Sequence, residues 1–174
     1  MIKYSHGVAL GPLQRANLEL YRGARNTPAI MRWCRQKSLV DEAQQAKWFE
    51  AQSADPTIEM FEVVAGTGLS VGVCGFTDID HHCQRAEFSL YLFPDMQGLG
   101  FAEPALRTLV KFGFDELNLN MIWGETVGDN KAQGIFEEVG FEKTGMRPCF
   151  YYKDGNFQHS YIYCLLRDNW RVSS

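Results

Sequence analysis

The spacing of apolar positions changes several times along the chain. Over residues 14–25 and 41–52 it mixes three- and four-residue steps, which predicts two amphipathic helices. Ala43, Ala46 and Phe49 fall on one face of the second, with Ser38 and Asp41 as caps near its start. Asn26-Thr27-Pro28 reads as the turn between them. From Met60 the step drops to two. Residues 60–64 and 69–76 are β-rich around the turn Ala65-Gly66-Thr67-Gly68, an antiparallel hairpin. Residues 86–93 alternate cleanly, Phe88, Leu90 and Leu92 on one side and Glu87, Ser89 and Tyr91 on the other.

That strand stops at Pro94-Asp95. After Met96-Gln97-Gly98-Leu99-Gly100-Phe101-Ala102 a helix is predicted to about Leu117. Its stripe is Ala102, Leu106, Leu109, Val110, Gly113 and Leu117. Pro104 fits only a first helical turn, which fixes the start near residues 100–103. Met121 to Val127 reads as a strand, and Gly128-Asp129-Asn130 leads into a helix from Lys131 to about Val139, stopped by Gly140. Residues 150–153 and 157–166 flank Asp154-Gly155-Asn156, a hairpin signal. The predicted order is one strand, two helices, three strands, a helix, a strand, a helix and two strands. This is a mixed α/β (α+β) sheet with helices over it.

A chain of 174 residues with 45% hydrophobic and 22% charged positions can bury a core and is not globally disordered. No linker or repeat divides it. The reading is a single domain over residues 1–174 with a core at about 8–167 and a frayed tail from Arg171. Lys+Arg number 17 and Asp+Glu 21, a net charge of −4. That balance speaks against nucleic acid as a partner, whose binding rests on phosphate neutralisation. No apolar run is long enough for a membrane span, and residues 1–7 lack the apolar core of a signal peptide. The five cysteines are odd in number and form no CxxC, which fits reduced thiols in the cytoplasm. His81-His82-Cys83 has no partner cluster at ligand spacing and reads as a surface turn, so no metal is expected.

The candidate chemistry lies between the alternating strand and the helix after it. Glycines at a strand-to-helix junction let backbone N–H groups approach a ligand, and the helix N-terminus adds unpaired donors and a positive dipole end. Gln97, Gly98, Leu99, Gly100, Phe101 and Ala102 thus form a candidate diphosphate site. With no N–H on Pro104, its donors lie between Leu99 and Glu103. The segment is neither a Walker loop nor a full GxGxxG, and a plain glycine turn has the same local appearance.

Gln97-x-x-Gly100-x-Ala102 after an alternating strand resembles the coenzyme A loop of the GNAT N-acetyltransferase family. The block Asp129-Asn130-Lys131-Ala132 through Glu137-Glu138-Val139-Gly140-Phe141 is similar to that family's later helix and strand. Arg85-Ala86-Glu87-Phe88 and Asp154-Gly155-Asn156-Phe157 resemble the branch with ribosomal-protein N-terminal, spermidine and amino-sugar acetyltransferases. The likeness spans about residues 8–167. It implies a mostly antiparallel central sheet with a splayed strand pair, acetyl-CoA as co-substrate, and direct attack by a primary amine in a ternary complex. The acceptor would be a protein N-terminus or a small molecule, a polyamine or an amino sugar; the net charge of −4 is compatible with a cationic amine but too small to decide among them. The alternative is a non-catalytic acyl-CoA-binding module on the same fold. By position in the family pattern, Leu92 would offer backbone groups to the pantetheine arm. Asp129 or Asn130 would lie near its lower part, and Phe136 would occupy a slot that often holds a proton-donating tyrosine.

Glu87, on the polar stripe of the strand leading into the loop, is the candidate base; a solvated strand charge or a partner for Arg85 is the competing role. Trp33-Cys34 and Trp48-Phe49 read first as core and second as a wall of the acceptor pocket. Tyr151 and Tyr152 point to opposite faces, one packing and one lining the cleft. Phe150, Tyr151, Tyr152, Phe157, Tyr161 and Tyr163 exceed what one sheet face needs, which predicts a homodimer.

Overall fold

The computed structural model describes residues 2–3, 7–52 and 54–173. The elements are β1 (Ile2–Lys3), β2 (Val8–Pro12), α1 (Leu18–Arg25), α2 (Pro28–Met31), α3 (Glu42–Gln52), β3 (Glu59–Ala65), β4 (Ser70–Asp80) and β5 (Arg85–Leu92). They continue as α4 (Ala102–Asp115), β6 (Met121–Val127), α5 (Ala132–Val139), β7 (Glu142–Lys153), β8 (Asn156–Leu166) and α6 (Arg167–Ser173). The strands form one sheet in the order β1-β2-β3-β4-β5-β6-β8-β7. Neighbours are antiparallel except β5 and β6, which run parallel. Among the described residues no helix is long and apolar enough to cross a membrane.

Strand alternation sorts side chains into two layers. On one face Leu106, Leu109, Val110 and Phe114 of α4 and Phe136 of α5 pack over Val63, Phe76, Phe88, Ile122 and Leu165. On the other, Tyr21, Ala24 and Ile30 of α1 and α2, with Trp48 of α3, cover Val73 and Phe93. Fully burying each large apolar side chain contributes about 1.5–3 kcal/mol. One buried carboxylate ties two elements together. Glu62 accepts from the Tyr21 hydroxyl and from Asn17 Nδ2, both at 2.5 Å, which pins α1 to β3. Burial, and then the bond to Glu62, raise the Tyr21 hydroxyl far above its ordinary range.

Phe88 fixes a second feature. Its ring lies 5.0 Å from Phe136 and 4.9 Å from Phe141, and it fills the space over Gly124, where a Cβ would come within 2.3 Å of the ring. Gly124→Ala is therefore expected to destabilise the fold by about 1–3 kcal/mol, the cost of overpacking. Urea denaturation measures it; an unchanged midpoint would contradict this packing.

Local punctuation was largely readable. Gly140 ends α5 in the left-handed region, φ 108°, and Pro104 sits in the first turn of α4. His81, His82 and Cys83 lie in an exposed turn whose backbone N–H groups at 82 and 83 donate to Asp80 Oδ1. Four expectations need correction. Pro28 starts the short helix α2 rather than only closing a turn, as suits proline at a first helical position. The inner face of α3 is carried by Gln45 and Trp48, while Ala43 is exposed; a buried glutamine is invisible to an apolar-spacing rule. Trp33 is 37% exposed and is not core. Finally, α6 is anchored by Arg167 Nε on the Leu119 carbonyl (2.7 Å) and by Trp170 against Phe114, so residues 171–173 continue a helix. Ser174 lies outside the described residues.

Candidate active site

The site begins where the sheet comes apart. β5 and β6 pair only at Arg85–Met121, Ala86–Ile122 and Glu87–Trp123; beyond Glu87 their ladder ends. The Phe93 N–H donates to the Val71 carbonyl (3.0 Å), so by the alternation of an antiparallel ladder residues 91 and 93 bond toward β4. Leu90 and Leu92 then turn their backbone groups toward β6, where no strand meets them. The splayed pair that the resemblance implies is thus present.

Gln97 Nε2 closes the mouth of this gap by donating to the Leu92 carbonyl at 3.2 Å. Gly98 and Gly100 then take φ values of 74° and 82°. Those left-handed conformations turn the chain into α4 and are accessible to glycine without strain. Leu99 is 61% exposed. The first helical N–H groups, at Ala102 and Glu103, have no intrahelical acceptor. Glu103 does not oppose an anion there, because Arg107 Nε holds its carboxylate at 2.5 Å and the same guanidinium donates to the Glu138 carbonyl.

Asn130 and Asp129 part ways. Asn130 Oδ1 accepts the Ala132 N–H at 3.0 Å and so caps the start of α5, whereas exposed Asp129 lines a cavity of about 230 Å³ beside Arg32, Lys153 and Gln158. Phe136 is buried against Phe88, Phe141 and Tyr163. The Tyr163 ring packs edge-on against it at 5.5 Å and is buried, and its hydroxyl donates to Gln133 Oε1 at 2.9 Å.

Glu87 projects to the α1–α3 face and is 6% exposed. It does not pair with Arg85, which lies 3.5 Å from Asp80. Its partner is Arg35, with Nη2 2.5 Å from Oε1. Burial alone lowers the Arg35 guanidinium, but the hydrogen bond and charge of Glu87 outweigh it and the net shift is upward. Two residues on from the Glu87 partner along β6, the Glu125 side chain is 5% exposed and paired with Arg147, and it accepts from the Ser160 hydroxyl. Tyr151 also bonds Glu125. Burial first, then that bond, push its hydroxyl up to about 12, so it stays protonated at neutral pH. Two carboxylates, two guanidiniums and a phenol thus meet where the sheet opens.

Sequence reasoning named Glu87 and Tyr151 here but missed Arg35, Glu125, Arg147 and Ser160. Glu125 carried a signal: it is the one charge inside the strand Met121–Val127. A cavity of about 810 Å³ adjoins this cluster, between the segment 28–37 and the tip of the β7–β8 hairpin; Arg35 and Tyr151 line it. Lys153 Nζ straps the two walls by donating to the Met31 and Gln36 carbonyls, at 3.1 and 2.7 Å.

Comparison with known proteins agrees with this geometry. The spermidine N(1)-acetyltransferase of Escherichia coli K12 is 25% identical over 167 residues, 95% of this chain and 89% of that enzyme. The fold matches a spermidine N-acetyltransferase from Vibrio cholerae solved with CoA and spermine, with a TM-score of 0.90, 22% identity, and 95% and 98% of the two chains covered. A dodecameric structure of a spermidine N-acetyltransferase from the same organism matches at a TM-score of 0.80, with 21% identity and 97% and 98% covered. Residues 8–142 match the model of the acetyltransferase (GNAT) domain. The chain belongs to the GNAT acetyltransferase family.

Proposed function

We propose that this protein transfers an acetyl group from acetyl-CoA to a primary amine by direct attack in a ternary complex. The observation that carries the reading is the parting of β5 from β6 beyond Glu87, with the glycine loop and the start of α4 at its mouth. Backbone N–H groups between Leu99 and Glu103 hold the diphosphate, with Gln97, Gly98, Gly100, Phe101 and Ala102 shaping the loop. Leu92 offers backbone groups along the gap, and Asp129 or Asn130 borders its lower end. Phe136, a residue with no proton to give, supports the wall.

The thioester carbonyl then lies beside the cluster on the α1–α3 face. Glu87 takes a proton from the substrate ammonium, directly or through water, and so leaves the neutral amine that attacks, while Arg35 fixes the orientation of Glu87. The thiolate leaves unassisted or takes its proton from solvent. A free thiol has a pKa of about 8.5, so the penalty is small.

The test mixes protein, acetyl-CoA and an amine panel with a thiol reagent. Amine-dependent release of coenzyme A supports the enzyme. Thermal stabilisation by acetyl-CoA with no turnover across the panel supports a non-catalytic acyl-CoA-binding module instead.

Self-association belongs to the same reading. Phe150, Tyr152 and Phe157 are 51%, 64% and 68% exposed at the tip of the last hairpin. A hydrophobic cluster of this kind marks a contact surface. Light scattering at micromolar concentration is expected to give at least two chain masses; a single chain mass would remove the idea.

A further inference from the structure

The charge around the larger cavity is opposite in sign to that of the whole chain. Among its lining residues Arg32, Arg35, Lys37 and Lys153 are cationic, and Asp154 is the one carboxylate. Arg32 Nε neutralises Asp154 at 2.7 Å, and Arg35 neutralises Glu87. Glu125, the other carboxylate of the cluster, is taken by Arg147. Lys153 Nζ is held by two carbonyl dipoles rather than by a carboxylate, and Lys37 stands on the same wall. Asp129 borders only the smaller neighbouring cavity. The pocket beside the proposed base therefore keeps an excess of positive charge.

A polyamine suits such a pocket badly. Once one nitrogen has lost its proton to become a nucleophile, the remaining ammonium groups still carry charge and meet like charges with no free carboxylate to receive them. A carboxylate or phosphate fits. The lysines supply the unneutralised positive charge, and each paired guanidinium, with five N–H donors, has donors beyond those its own carboxylate takes. An 810 Å³ cavity also lies in the size range of small-molecule sites. We infer that the acceptor is a small primary amine carrying an anionic group, a carboxylate or a phosphate, and is not a polyamine. The inference rests on the acetyltransferase reading and narrows its substrate class.

Matched amines separate the two. 4-Aminobutanoate is compared with 1,4-diaminobutane, and O-phosphoethanolamine with ethanolamine, with spermidine as the polyamine arm. Coenzyme A release gives kcat/KM, and calorimetry on the CoA-loaded protein gives amine affinity without turnover. At least one anionic member is expected to exceed its partner and spermidine by tenfold or more; which pair does so distinguishes carboxylate from phosphate. Added salt is expected to shrink the ratio. Lys37→Glu is expected to cut it at least fivefold while leaving acetyl-CoA affinity unchanged. A preference for diaminobutane or spermidine, or a preference indifferent to Lys37→Glu, would overturn the inference and leave the acetyltransferase reading standing. If no amine is acetylated, that reading falls instead, and tighter calorimetric binding of diaminobutane than of 4-aminobutanoate would overturn the charge inference on its own.

Discussion

Glu87→Gln is expected to lower kcat by about 10²-fold, with a much smaller change in the KM for acetyl-CoA. The amine must be neutral to attack. An alkyl amine with a pKa near 10.4 is neutral to less than roughly one part in a thousand at pH 7, and an α-amine near 8 to roughly a tenth. A carboxylate that takes the proton therefore contributes most with alkyl amines. Glutamine keeps the shape and an oxygen to accept from Arg35, so the contact at 2.5 Å can persist without a proton acceptor of comparable strength. The pH–rate profile is expected to change in the variant, because the proposed proton acceptor is gone. A purely structural role for Glu87 predicts a lower Tm with the pH–rate profile unchanged, and that result would remove it from the chemistry.

Gly100→Val is expected to weaken acetyl-CoA binding at least about tenfold while lowering Tm by no more than a few degrees. A Cβ at this position meets nothing within 4 Å, so no clash arises in the protein alone. The conflict is in the backbone, since φ is 82° and a left-handed conformation costs an L-residue roughly 1–2 kcal/mol. A β-branched residue escapes it by turning the peptide, which would redirect the N–H groups proposed to hold the diphosphate, and its methyl groups would stand where the backbone is proposed to approach it. Gly68→Val is the control. It has φ 87°, equally open surroundings and a place in the remote β3–β4 turn. Isothermal calorimetry on both variants reads the difference. Equal affinity in Gly100→Val and the parent would show that the diphosphate does not sit on this loop.

Much of the architecture was readable because its signals are local. The alternation of 86–93, the proline that sets the start of α4, the glycine that stops α5 and the Asp154-Gly155 turn each fix an element from a few neighbouring residues. The glycine loop and its helix were readable for the same reason. The charged cluster beside Glu87 was not. Arg35 and Glu87 meet across 52 positions of sequence, and neither residue type nor spacing pairs them in advance. The net charge of −4 pointed, if anywhere, to a cationic acceptor. Composition averages over the surface, whereas the pocket collects Arg32, Arg35, Lys37 and Lys153 from two distant segments. Gln45, buried in α3, and Trp33, exposed in the turn after α2, show the same limit, since the packing partner rather than the residue type decides which side faces in.

The central claim is that an amine attacks acetyl-CoA directly while both are held beside the opening between β5 and β6. Initial rates of coenzyme A release, measured over a grid of acetyl-CoA and amine concentrations, test it most directly. The account predicts double-reciprocal lines that intersect and release that requires the amine. Parallel lines, the sign of a covalent acetyl-enzyme, or release at the same rate with the amine left out, would contradict it.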